Sequence, residues 1–119
     1  MNQQIERALK QDRTIDITTT GRKTGLPRRI EIWFSNLEGR LFITGLPGRR
    51  DWYANLVAQP EFTFHLKQSV RADLPARARP IVDEVERREI FATLMPALGQ
   101  HDDFETWVAE SPLVEIELE

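Results

Sequence analysis

Two loops of this sequence contain residues whose types and spacing could bind an anionic ligand. The first loop spans residues 21–28 and reads Gly-Arg-Lys-Thr-Gly-Leu-Pro-Arg. Arginine can bind a phosphate through two parallel hydrogen bonds, lysine adds a compact charge, and glycines let backbone N–H groups converge on an anion. This loop therefore supplies the candidate ligands Arg22, Lys23, Thr24 and Arg28. An exposed basic hairpin turn without a ligand explains the same composition equally well.

The second loop, residues 45–50, reads Gly-Leu-Pro-Gly-Arg-Arg and leads into a predicted helix over residues 52–58, for which we expect Asp51 to be the N-cap. The start of a helix favours an anion because its first N–H groups have no partner within the helix. The candidate binding residues here are Gly45, Leu46, Gly48, Arg49, Arg50, Trp52 and Asn55. Core packing is the more common role for a tryptophan such as Trp52, and capping of a neighbouring strand is the alternative for Asn55.

Other kinds of chemistry find little support in the sequence. The chain contains no cysteine, which excludes a disulfide scaffold, a cysteine nucleophile and a thiolate metal site. His65 and His101 do not have the spacing of metal ligands, and His65 is expected to point opposite to its apolar neighbours, at the solvent side or the rim. The pair Asp102 and Asp103 is better explained as the cap of a short helix than as a metal site.

Composition indicates one soluble domain with an uneven distribution of charge. The chain has 119 residues, of which 40% are hydrophobic and 29% charged, and its net charge is −3. Residues 22–50 nevertheless contain seven basic and two acidic side chains, whereas residues 80–119 contain eleven acidic and two basic ones. A basic region on an acidic chain favours a small anionic ligand over nucleic acid. Because no apolar run approaches the roughly 20 residues of a membrane span, we expect a cytoplasmic protein without integral membrane insertion.

The elements that must position the two loops follow from hydrophobic periodicity. Helices are predicted over residues 2–11, 52–58 and 83–98, with a short fourth helix after Asp103, and strands over residues 14–20, 29–34, 40–44, 61–67, 70–79 and 113–118. Short turns predict that the first three strands form an antiparallel meander. The long helix is expected to bury an apolar stripe formed by Val82, Val85, Ile90, Phe91, Leu94 and Met95. The predicted fold class is therefore α+β, a six-stranded and mostly antiparallel β-barrel with flanking helices.

Two motifs give the sequence a family resemblance. Residues 19–28 read Thr-Thr-Gly-Arg-Lys-Thr-Gly-Leu-Pro-Arg, and residues 52–60 read Trp-Tyr-Ala-Asn-Leu-Val-Ala-Gln-Pro. With the later segment 103–107 and the final strand, they resemble the deazaflavin-dependent nitroreductase family. The resemblance implies that residues 1–119 form a single split β-barrel domain of the FMN-binding-like kind. It also implies an oxidoreductase that passes a hydride from the reduced deazaflavin coenzyme F420 to a quinone, a nitroaromatic compound or a similar small-molecule electron acceptor.

Carried over by motif, the resemblance assigns roles to residues of both loops. The phosphate and acidic tail of the coenzyme would be held by Arg22, Lys23, Thr24 and Arg28. The loop 45–50, Trp52 and Asn55 would lie beside the deazaflavin ring, and Tyr53 is a candidate proton donor, with packing on the barrel as the alternative. Because family barrels are often dimeric, the resemblance also allows a homodimer. The glycine-rich loop is shorter than the family pattern. Because Tyr53 is the single tyrosine of the chain, the tyrosines that often line the family's acceptor pocket near the carboxyl end are missing.

Three alternatives stay open at this point. A related split barrel could bind FMN in place of F420, a carrier protein could bind an anionic ligand without catalysing a reaction, and the basic turn could dock a partner. The reductase assignment requires the two basic loops, which are far apart along the chain, to close over the negatively charged end of one coenzyme molecule. The decisive structural comparison is therefore between the positions of Lys23 and Arg49.

Overall fold

The chain folds into one curled antiparallel sheet with helices packed against it. A computed structural model describes residues 2–101 and 103–119. The helices in these ranges are α1 (Gln3–Gln11), α2 (Asp51–Ala58), α3 (Glu84–Ala97) and α4 (Phe104–Glu110). The strands are β1 (Thr14–Thr20), β2 (Pro27–Trp33), β3 (Ser35–Leu37), β4 (Arg40–Thr44), β5 (Glu61–Leu66), β6 (Ala72–Pro80) and β7 (Leu113–Leu118). They lie in the order β2-β1-β5-β6-β7-β4-β3, a half-barrel that confirms the predicted α+β split barrel.

The strand count and one pairing differ from the prediction. The structure has a seventh strand, β3, which forms a hairpin with β4 through a turn at Glu38 and Gly39, both of which have positive φ angles. The predicted meander is wrong, because β4 pairs with β3 and β7 and not with β2. The chain leaves β2 at Phe34, whose side chain is buried and whose N–H donates to the Arg13 carbonyl. This interruption separates β2 from the hairpin that follows it.

The inner face of the sheet forms the main core and fixes α2 in place. Ile15 and Ile17 on β1 and Phe62 and Phe64 on β5 are buried and alternate with side chains that point outward. Leu56 of α2 is fully buried in the same cluster. A second apolar cluster joins α3 and α4 to the start of β7, through Phe42, Ile81, Ile90, Phe91, Leu94, Met95, Trp107, Val108 and Leu113.

Several details of the helices correct the sequence-based expectations. The apolar stripe of α3 is buried at Ile90, Phe91, Leu94 and Met95, but Val82 and Val85 are 77% and 64% exposed, because they lie beside or in the first turn, outside the contact with the sheet. Asp51 is the first residue of α2 and not its N-cap, which is Arg50. Asp103 caps α4 by accepting the Thr106 N–H, as predicted, whereas Asp102 lies outside the described residues.

His65 is buried, which corrects the prediction of a solvent or rim position. Its Nε2 lies 2.7 Å from the Thr18 hydroxyl, and its Nδ1 lies 2.7 Å from a carboxylate oxygen of Asp73. The hydrogen bond from His65 lowers the pKa of Asp73. The side chain does point opposite to its apolar neighbours, but polar side chains of β1 and β6 cover it. Alternation along one strand predicts the side of the sheet to which a side chain points. It does not predict which residues of the neighbouring strands cover that side chain.

Within the described ranges, no helix combines the length and apolar character that a membrane crossing requires.

Candidate anion-binding site

The turn between β1 and β2, residues 21–26, presents basic side chains on a closed backbone. The Gly21 N–H donates to the Leu26 carbonyl and the Gly25 N–H donates to the Gly21 carbonyl, both at 2.8 Å. The prediction that these glycine N–H groups converge on an anion is therefore wrong, because both already donate to backbone carbonyls. The side chains that this turn and the start of β2 offer a ligand are those of Arg22, Lys23, Thr24 and Arg28.

Arg22 ties this turn to α2. The Asn55 Oδ1 accepts from the Arg22 backbone N–H at 3.1 Å and from its Nη1 at 2.9 Å, and Asp51 accepts from its Nη2 at 3.2 Å. Asn55 is 4% exposed and also donates to the Thr19 hydroxyl at 3.3 Å. The buried amide therefore links β1, the turn and α2, so Asn55 positions the turn. Direct contact between Asn55 and a ligand stays a prediction.

The loop 45–50 is folded against the end of α4. The Gly48 N–H donates to the Glu110 carbonyl at 3.1 Å, and Gly48 has a φ of +128°, a conformation that favours glycine. The Arg50 guanidinium donates to the carbonyls of Leu46 and Arg49, so it fixes the path of its own loop. Arg49 is exposed. The structure thus holds Arg50 rigidly and leaves the side chain of Arg49 accessible.

Two hollows lie on opposite faces of the start of α2. Asp51 and Asn55 are one helical turn apart and share a face, whereas Tyr53 lies about 200° around the helix from Asp51. The hollow on the first face, the turn hollow, has a volume of about 180 Å³ and is lined by Gly21, Arg22, Lys23, Thr24, Arg28, Asp51 and Asn55. The hollow on the second face, the loop hollow, has a volume of about 460 Å³ and is lined by Gly48, Arg49, Arg50, Tyr53, Ile81, Val82, Arg87, Ala109, Glu110, Ser111 and Pro112.

The cations around these hollows are mostly without acidic partners. Among the described residues, Arg22 pairs with Asp51, but no carboxylate lies within 4 Å of the following cations: Lys23, Arg28, Arg49 and Arg50. Both basic loops flank the start of α2, but Lys23 lines the turn hollow and Arg49 lines the loop hollow. The predicted closure of both loops over one shared cleft is therefore not seen in these two hollows. Unpaired cations that line hollows create a positive potential, which favours an anionic ligand.

Arg87 adds a buried cation to the wall of the loop hollow. It is 8% exposed, and its guanidinium donates to four backbone carbonyls, those of Ile81, Trp107, Val108 and Ser111. Burial lowers the pKa of Arg87, but an arginine side chain stays protonated in proteins. Because it has no carboxylate partner among the described residues, its charge contributes to the potential of the hollow.

Trp52 and Tyr53 provide aromatic surface at the start of α2. Their rings meet edge to face, with centroids 6.1 Å apart, and both are partly buried against the main core. The core-packing interpretation of Trp52 is therefore confirmed in part. Tyr53 also lines the loop hollow, which places its side chain beside the three arginines there. A role in proton transfer stays a prediction.

Part of this site has no signal in the sequence. The helix around residues 83–89 is rich in acids and looks like a solvated face, so the buried Arg87 was not among the candidates. Ser111 was also missed, although its Oγ is buried and has no hydrogen-bond partner in the part of the chain that the structure describes. Both residues reach the loop hollow through tertiary packing of α3 and α4, which no local motif records.

Known structures share this fold. A candidate 5-nitroimidazole antibiotic resistance protein from Bacteroides thetaiotaomicron is similar over 100% of this chain and 80% of its own, with a TM-score of 0.72 and 13% identity. An F420-H2 dependent reductase, FDR-A, is similar over 89% of this chain and 95% of its own, with a TM-score of 0.56 and 19% identity. A domain-swapped dimer is similar over 96% of this chain and 94% of its own, with a TM-score of 0.56 and 22% identity.

A family model also matches almost the whole chain. The model describes the F420H(2)-dependent quinone reductases and matches residues 1–117. This match includes both basic loops, α2, and the segments of α3 and α4 that close the loop hollow. The family assignment therefore rests on the whole domain and not on one motif.

Proposed function

The chain belongs to the F420H(2)-dependent quinone reductase family, and so is an oxidoreductase that uses coenzyme F420; from this premise we propose that its electron acceptor is a quinone and that residues around the start of α2 bind the coenzyme. When bound, F420 supplies the hydride, and its phosphate and carboxylates supply negative charge. The residues of the turn hollow fit that charge, since Lys23 and Arg28 are exposed and lack carboxylate partners among the described residues. This observation carries the proposal.

The proposed binding mode assigns the two loops different parts of the coenzyme. Lys23, Arg28 and the Thr24 hydroxyl bind the phosphate and the acidic tail at the turn hollow, with Arg22 held in place by Asn55 and Asp51. The loop 45–50 and Trp52 lie beside the ring. A preorganised turn increases affinity because it does not have to be ordered when the ligand binds.

Reduction of the acceptor needs a hydride and a proton. A quinone that accepts one hydride and one proton becomes a hydroquinone, so atoms and electrons balance without a further reactant. Tyr53 lines the loop hollow, and its hydroxyl is our candidate for the group that delivers the proton. A nitroaromatic acceptor would require more than one such transfer to be reduced to a hydroxylamine, and we place it second.

Titration of the protein with oxidised F420 tests this proposal directly. We expect quenching of the coenzyme fluorescence at micromolar concentration, and oxidation of reduced F420 when a quinone such as menadione is added. Absence of binding at tens of micromolar would contradict the coenzyme site. Binding without turnover of any quinone, but with turnover of a nitroaromatic compound, would overturn the choice of acceptor.

We also propose that the chain forms a homodimer through β2. This strand lies at one edge of the sheet, and Ile30 and Trp33 on it are 37% and 56% exposed, next to Leu26 at 61%. An uncovered edge strand with exposed apolar side chains favours pairing with another chain. Light scattering after size-exclusion chromatography measures the assembly directly, and a Trp33→Lys variant should shift it towards the monomer.

A further inference from the structure

We propose that the loop hollow is the acceptor site and that it selects quinones carrying an anionic substituent, such as a sulfonate or a carboxylate, over neutral quinones. This inference rests on the proposed function, because it assumes that the coenzyme binds at the start of α2. It goes further by naming the charge class of the acceptor. It also assigns the selection to three arginines, Arg49, Arg50 and Arg87.

The loop hollow has more positive charge than one acid can balance. Its lining contains three arginines and one carboxylate, that of Glu110. Glu110 makes no ion pair with these arginines, and Arg50 and Arg87 donate to backbone carbonyls. Carbonyl oxygens orient a guanidinium but do not neutralise it. A net positive charge near +2 therefore remains for whatever occupies this hollow.

Arg87 makes this charge persistent. The guanidinium is fixed by four carbonyls from three segments, so it cannot turn outward to water. A charge held in a poorly solvated wall acts over a longer range than a charge on the surface. Surface arginines alone would be screened by salt within about 10 Å at 0.1 M. The buried position of Arg87 favours an anion inside the hollow and not merely near its rim.

The hollow also has a polar group that the fold leaves unused. Ser111 lines it, and the Ser111 hydroxyl is buried without a hydrogen-bond partner among the described residues. Buried hydroxyl groups nearly always have a partner. A quinone carbonyl or a sulfonate oxygen is the acceptor that we propose for this hydroxyl.

The position of the hollow separates it from the coenzyme tail. The turn hollow, which we assign to the tail, lies on the α2 face of Asp51 and Asn55, whereas the loop hollow lies on the face of Tyr53. The loop 45–50, which we place beside the ring, forms one wall of the loop hollow. An acceptor there would meet the reactive part of the coenzyme, as hydride transfer over about 3–3.5 Å requires.

A matched pair of ligands tests the inference without relying on turnover. Anthraquinone sulfonate and hydroxymethyl anthraquinone have the same ring system and differ in charge. We expect the coenzyme-free protein to bind the sulfonate about tenfold more tightly, measured by quenching of tryptophan fluorescence, because the hollow is net positive. The difference should shrink when salt is raised. Equal affinity for the two ligands would overturn the inference.

Charge variants locate the effect. Arg49→Gln should reduce affinity for the sulfonate about fivefold and leave affinity for the neutral quinone unchanged, whereas Glu110→Gln should tighten binding of the sulfonate. Arg71→Gln is the control, because Arg71 is also exposed and without a partner among the described residues, but it lies before β6, at the end of that strand remote from Ile81. A loss in Arg71→Gln equal to that in Arg49→Gln would show a general charge effect and contradict the site.

Coenzyme binding, measured on the same variants, distinguishes the two proposals. If F420 does not bind the wild-type protein, the proposed function fails. If F420 binds but anthraquinone sulfonate has no preference over its neutral partner, only the acceptor inference fails. If Arg49→Gln weakens F420 binding and leaves sulfonate binding intact, the loop hollow belongs to the coenzyme and the inference is wrong.

Discussion

Cations in two regions of this protein have opposite surroundings. Across the neighbouring strands β4, β7 and β6, Arg40 and Arg79 both pair with Glu115, and Arg79 also pairs with Glu86. At the start of α2, Lys23 and Arg49 have no carboxylate within 4 Å among the described residues. The same residue types are thus neutralised in one region and left open in the other.

This difference fits our proposal that the paired charges stabilise the fold and that the unpaired charges bind a ligand. Glu115 is 16% exposed at its side chain, and a cluster of paired charges at such a site contributes to stability. Unpaired like charges repel one another, so the basic loops cost stability in the absence of an anion. An oxidoreductase that binds an anionic coenzyme recovers this cost on binding.

The largest effect on stability is expected at Arg87. This residue is an exception to the comparison, because it is buried and has no acidic partner among the described residues. Arg87→Met should lower the free energy of unfolding by about 3 kcal/mol, because four backbone carbonyls lose the guanidinium donor and, within the described ranges, only that of Trp107 keeps a second donor, the Ser111 N–H. Chemical denaturation measures the change. Arg71→Gln serves as the exposed control and should stay within about 0.5 kcal/mol.

A second, smaller effect on stability should come from the paired cluster. The hydrogen bond from Arg40 and, after it, that from Arg79 lower the pKa of Glu115 to about 2. Since this carboxylate has a lower pKa in the folded state than in the unfolded one, its contribution is present above about pH 4.5 and is lost as pH falls towards 2. Glu115→Gln should therefore cost about 2 kcal/mol at pH 7.

The pH dependence of this variant provides its own check. The difference in unfolding free energy between wild type and Glu115→Gln should shrink steadily between pH 4.5 and pH 2. Glu117→Gln is the matched control, since Glu117 is the next acid along β7 and is exposed. A gap between wild type and Glu115→Gln that stays constant over this range would show that the carboxylate charge is not what stabilises the cluster.

A substitution of Lys23 tests the region in which the cations have no acidic partner. Lys23→Ala should leave stability within about 0.5 kcal/mol, since the side chain is exposed, but should weaken F420 binding about tenfold at low salt. Fluorescence titration at two salt concentrations measures both affinity and its salt dependence, which should be smaller in the variant. Unchanged affinity at low salt would remove Lys23 from the coenzyme site.

Local patterns in the sequence predicted the parts of this molecule that are locally determined. The alternation of Ile15 and Ile17 gave β1, and the two basic loops were found from composition alone. The ladder between β4 and β7 was not predictable, because residues 41 and 116 pair across 75 positions. For the same reason the burial of His65 and the approach of Arg87 and Ser111 to the loop 45–50 were missed, since each depends on neighbours distant in sequence.

The smallest expected change in coenzyme affinity concerns Asp51, the one acidic residue in the described lining of the turn hollow. Its sign discriminates between two roles for this carboxylate. The side chain of Asp51 is 91% exposed and accepts one hydrogen bond from Arg22. Arg22 also donates to Asn55 through its Nη1. Asp51→Asn removes a negative charge from the turn hollow, while the remaining Asn55 contact keeps Arg22 in place, so F420 binding should tighten about twofold to threefold. If Asp51 instead positions Arg22 for the ligand, the variant should bind more weakly. Fluorescence titration decides between these signs, and Asn55→Ala, which should weaken binding by releasing the turn, gives the reference for a lost anchor.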